Sequence, residues 1–115
     1  MAKVEIVHSL FLEIQNKFKG EAHEVIDLLE TLEANPYKGK HLASVGGVEI
    51  KEIKYKSFRF YFITDGYKLK FMDEEYLRDI LIKFVRMSDK KEQQKVIDEI
   101  KRILINLGSE RFDKS

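Results

Sequence analysis

The chain has 115 residues, 43% hydrophobic and 36% charged, with a formal net charge of +1 and no cysteine. That composition describes one folded domain large enough to bury a core, and it excludes a disulfide framework, a thiolate metal site and a cysteine nucleophile. No apolar run approaches the roughly 18 residues that span a bilayer, and the first residues lack the apolar stretch of a secretion signal, so a cytoplasmic protein without a membrane segment is expected.

In chain order, Val4–His8 alternates and is β-branched, and it reads as a first strand. Ser9 is a candidate N-cap for a helix carrying Leu10, Phe11, Ile14 and Phe18 at helical spacing, closed by Gly20. A second helix over residues 21–34 places Ala22, Val25, Ile26, Leu29 and Leu32 on one face. Asn35-Pro36 stops it, because a residue before proline disfavours the α region. The two form a helical hairpin. Residues 36–47 then read as a loop with three glycines.

Strand signals follow over Val48–Ile53 and Phe58–Thr64, with an Asp65-Gly66 turn and an alternating Tyr67–Met72 segment. Residues 73–79 are polar and acidic, and Ile80–Met87 is a further strand. Ser88 or Asp89 caps the last helix, with Glu92 in a capping-box position. That helix carries Val96, Ile97, Ile100, Ile103, Leu104 and Leu107 as its apolar stripe, and Gly108 ends it. The expected fold is α+β: a helical hairpin packed on a twisted, mainly antiparallel sheet of four to five strands, plus a C-terminal helix. Residues 1–108 form the single domain and 109–115 a flexible tail.

Charge is uneven. Residues 36–70 hold eight bases against three acids, a local excess of five on a nearly neutral chain. Such a stretch is either an anion-binding face or a solvated strand region guarded by lysines. No phosphate loop, dinucleotide fingerprint or His-Glu-x-x-His motif is present, and His8, His23 and His41 lack ligand spacing. No metal or small-molecule cofactor is implied.

Three segments carry a resemblance: Leu32-Glu-Ala-Asn-Pro-Tyr-Lys-Gly-Lys-His-Leu, then Gly47-Val-Glu-Ile-Lys-Glu-Ile, then Phe58-Arg-Phe-Tyr-Phe. Together with Phe84-Val-Arg-Met-Ser-Asp-Lys-Lys-Glu-Gln-Gln running into the last helix, they resemble the RelE/ParE toxin superfamily, including its HigB-like branch. The resemblance implies the RelE-like version of the fold, a toxin of a toxin–antitoxin system, and a cognate antitoxin as partner. RelE-like members cut mRNA in the ribosomal A site without metal, the 2′-hydroxyl attacking the adjacent phosphate. A base, cations that neutralise the phosphorane and an acid for the leaving oxygen are then required.

Carried onto this chain, the resemblance assigns catalysis to Lys51, Arg59 and Lys90, and RNA contact to Lys54, Lys56, Tyr61, Arg86 and Lys91. Arg59 is otherwise a sheet arginine paired with Glu49 or Glu52. Lys51 and Lys54 stand three apart, so a regular strand sends them to opposite faces, and a bulge, or a turn beginning near Lys54, is needed to unite them. Arg86 shares strand parity with Ile82 and Phe84. Two features favour a different outcome: Val96 stands where RelE-like nucleases place a tyrosine, and the net charge is low for a ribosome-binding protein. The alternative is a catalytically inactive or ParE-like member that binds protein, gyrase or an antitoxin. A third reading is a self-associating structural protein, a homodimer joined through the exposed apolar side of Phe58–Thr64.

Overall fold

The computed structural model describes residues 2–71 and 80–107. Within them the order is β1 (Lys3–Ile6), α1 (His8–Lys17), α2 (Ala22–Glu30), a 3-10 turn (Thr31–Glu33), β2 (Lys40–Val45), β3 (Val48–Tyr55), β4 (Phe58–Asp65), α3 (Gly66–Phe71), β5 (Leu81–Asp89) and α4 (Gln93–Leu107). This is an α+β fold on a five-stranded mixed sheet ordered β1-β5-β4-β3-β2. β1 runs parallel to β5 and the other pairs are antiparallel.

Alternation along β4 builds two cores at once. Phe60 and Phe62 face the helical hairpin, where Leu10, Ile14, Phe18, Val25 and Leu29 bury against them. Tyr61 and Ile63 face the other way, onto Val96, Ile97, Ile100 and Leu104 of α4. The sheet is therefore sandwiched between the α1–α2 hairpin and α4. With both sides of β4 covered, the apolar side expected to join a homodimer is interior.

Several local expectations change. α1 begins at His8 after Val7, with no side-chain cap, so Ser9 lies inside the helix. α2 tightens into the 3-10 turn before Asn35-Pro36. The segment read as a loop contains β2. Gly46 and Gly47, with φ of 54° and 86°, make the two-residue turn that pairs β2 with β3, since a turn of that kind needs left-handed residues. Asp65-Gly66 starts α3 and not a hairpin: Asp65 Oδ1 accepts the Lys68 N–H at 3.0 Å, an N-terminal cap. Most of the alternating 67–72 segment is thus helical. The acidic residues 73–79, Gly108 and the tail 109–115 lie outside the described residues. Among the described residues no helix is long and apolar enough to cross a membrane.

Three polar contacts fix the α1–α2 turn of the hairpin to the end of β3. The Tyr55 hydroxyl donates toward Glu21 at 2.9 Å and Glu24 at 3.2 Å, and Lys56 Nζ lies 2.6 Å from Glu21. Burial, then the two carboxylates it serves, pushes the Tyr55 hydroxyl up to about 12. The Lys56 and Tyr55 donors in turn hold Glu21 below the usual carboxylate range. In the loop just before β2, Gly39 takes φ 109°, and a Cβ there would meet the Phe62 ring at 2.8 Å. Gly39→Ala should therefore destabilise the fold by more than about 1 kcal/mol, whereas Gly20→Ala, with open space around it, should change stability little. Urea denaturation of both variants checks the contrast.

Candidate nucleic-acid or protein interface on the α4 face

The register of the central strands decides which cations meet. β3 and β4 pair without interruption, Lys51 opposite Phe62 and Lys54 opposite Arg59. No bulge unites Lys51 with Lys54, so they stay on opposite faces. Lys51 turns toward the helical hairpin, is 5% exposed, donates from Nζ to the Tyr37 carbonyl at 3.0 Å and lies over the Phe62 ring. Its burial holds its pKa below the ordinary value, with Glu49 opposing weakly. It pins the loop after Pro36 to β3 and does not meet Arg59, contrary to the expected catalytic pairing. Lys56 is also elsewhere, in the β3–β4 turn at φ 54°, held by Glu21.

The other expected residues do share a face. Glu52, Lys54, Arg59 and Tyr61 project from β3 and β4 toward α4. Arg86 joins them through a break in register. Tyr61 pairs with Arg86 while Phe62 pairs with Phe84, so Val85 is an extra residue. One inserted residue reverses the alternation beyond it. Arg86 therefore leaves the face of Ile82 and Phe84 and reaches α4, where its Nη1 lies 2.7 Å from Glu99. Lys90 and Lys91 are exposed in the turn between β5 and α4.

Carboxylates claim the two arginines. Arg59 Nε lies 3.3 Å from Glu52 Oε2, with side chains 12% and 1% exposed. These two atoms are near enough for an ion pair but misaligned for a hydrogen bond, and neither has another partner. Gln93, at the start of α4, donates to the other Glu52 oxygen at 2.8 Å and covers the pair. Tyr61, expected to contact RNA, is fully buried: its hydroxyl meets Ser88 Oγ at 2.7 Å. Burial raises its pKa, with Ser88 opposing, and no base can stack on its ring. Lys54, Lys90 and Lys91 are exposed and make no ion pair with another described residue.

Glu52 is expected from the sequence only as a possible partner of Arg59. It is the hub of this cluster, and its signal was available: an acid two residues before Lys54 shares its face and lies diagonally across from Arg59. Among the described residues no cluster of acids and histidines could hold a metal ion. His41, on β2, is near Ser44 at 3.1 Å and Glu49 at 3.8 Å, both through Nε2. One nitrogen facing both partners cannot relay a proton between them. The chain matches no family model, no curated protein and no solved structure.

Two outcomes follow from these environments. Arg59→Met strands the Glu52 carboxylate in a closed site and should destabilise by on the order of 3 kcal/mol, while the double variant with Glu52→Gln should recover most of it; chemical denaturation reads both. For Lys51, the folded state releases its proton more easily than the unfolded chain does. Stability from this group should therefore rise with pH through the window just below 10.5. Lys51→Met should abolish that increment, visible as a flatter difference in urea midpoint between pH 8 and pH 10.

Proposed function

We propose that this chain is a toxin of the RelE/ParE kind that acts by binding protein, as the catalytically inactive or ParE-like members do, and that a cognate antitoxin restrains it. The ordered motifs support the superfamily reading. So does the sequence of parts: helical hairpin ending at Asn35-Pro36, sheet, basic turn, last helix. The observation that carries the binding mode is the neutralisation of the α4 face. Arg59 is held by Glu52 and Arg86 by Glu99. Metal-free RNA cleavage needs cations able to meet a phosphorane as its charge develops, together with a reachable base. Here Lys51 is turned away, and the Glu52 carboxylate is 1% exposed beneath Gln93.

A second reading, an mRNA endoribonuclease acting at the ribosomal A site, is favoured by one specific fact: Lys54, Arg59 and Arg86 share a face beside Lys90 and Lys91. The two readings separate in a single experiment. The chain is induced in a bacterial host, growth is followed, and ribosome-bound mRNA is mapped by primer extension. Growth arrest without new A-site ends is expected, and it should persist in the Glu52→Gln/Arg59→Met variant. A-site cuts that vanish in that variant would establish the nuclease instead. Unimpaired growth with folded protein present would rule out both.

A further inference from the structure

The edge of β5 is only half used. β1 pairs with it over Leu81–Phe84, and the Val7 N–H reaches the Phe84 carbonyl as the last such contact. From Val85 to Asp89 no described strand lies outside β5. The main-chain directions there follow from the β3–β4 turn. Lys56-Ser57 closes on the pair Tyr55–Phe58, whose main-chain groups bond each other in a two-residue hairpin. Arg59 and Tyr61 then point toward β5 and meet Ser88 and Arg86. The N–H and C=O of Met87, between them, point outward from the sheet.

This edge is not guarded in the usual way. The opposite edge, β2, shifts register after His41 and carries the exposed Lys40 and His41, features that discourage strand addition. The β5 edge instead lines a cleft of about 250 Å³ between α1 and α4. Phe58 and Met87 supply an apolar side next to α1. Four carboxylates, Glu13, Asp89, Glu92 and Glu99, line it with three bases, Lys17, Arg86 and Lys95. Glu99 holds Arg86 and Glu92 lies 4.0 Å from Lys95, which leaves Glu13, on α1, without an ion pair among the described residues.

We propose that this cleft is a docking groove in which one extended peptide segment of a protein partner adds as a strand to residues 85–89 of β5. Unpaired main-chain groups along an edge are satisfied by another strand, and alternate side chains of that strand supply specificity. The guest directs apolar side chains toward Phe58 and Met87 and a basic side chain toward Glu13. A second copy of this chain fits less well. Its own β5 edge is flanked by its own α1 and α4, so helices would meet before the edges do. The inference deepens the protein-binding reading and rests on it.

The test uses the full chain and the tightest-binding peptide recovered from a random displayed library. Amide hydrogen exchange is followed with and without the peptide. The Met87 amide should slow by at least about tenfold on binding, while Arg86 and Ser88, already in the ladder, should change little. Glu13→Lys, an exposed substitution, should weaken the same peptide. Several results would overturn the proposal: no peptide recovered, a helical bound peptide, or a footprint elsewhere, such as the apolar groove between Val85, Ile100 and Ile103. A Met87 amide already protected in peptide-free protein that sediments as a dimer would give the groove to a second copy. None of these outcomes touches the growth-arrest measurement, so a failure here is separable from a failure of the toxin reading.

Discussion

β4 is buried on both sides, and that constraint organises the rest of the molecule. An eight-residue strand running Phe-Arg-Phe-Tyr-Phe-Ile-Thr-Asp cannot leave either face to water. Phe60 and Phe62 require the helical hairpin, and Tyr61 and Ile63 require α4. Once both layers are in place, every charged residue on the central strands has to be partnered or pushed to the rim. Arg59 is the clearest case. Phe58 and Phe60 direct it toward α4, where it would be desolvated alone, and Glu52 meets it from β3.

The same constraint accounts for what the face can do. A cation made available for phosphate must keep its hydrogen-bond donors unspent until the ligand arrives. The two arginines under or beside α4 are committed to carboxylates on neighbouring elements. Lys54, Lys90 and Lys91, which make no ion pair with another described residue, sit at the margin, where water screens them. A surface of this kind is well suited to contacts with protein, where charge sets register and partner choice more than it supplies affinity.

The broad α+β outline was legible because the apolar periodicities were strong: period 3.6 in the α1, α2 and α4 segments, period 2 in β3 and β4. The errors share a physical cause. β2 has few strand-forming residues of its own and exists because Gly46-Gly47 reverses the chain beside β3, so its signal lay in the turn and not in the strand. α3 carries a strand-like alternation, yet Asp65 caps a helix there through the Lys68 N–H. For the site, parity counting correctly separated Lys51 from Lys54. It failed for Arg86, because the extra residue at Val85 leaves no mark in composition or periodicity.

That bulge links the site to the sheet edge. By inserting Val85, β5 turns Arg86 toward Glu99 and keeps Met87 in the hairpin core. It also bends β5 as β1 ends, since a bulged strand twists more sharply than its neighbours. Residues 86–89 line the cleft between α1 and α4. One extra residue thus does two things: it commits an arginine to a carboxylate, removing it from phosphate chemistry, and it leaves main-chain groups facing a cleft. Both effects favour the proposed protein-binding reading over the nuclease one.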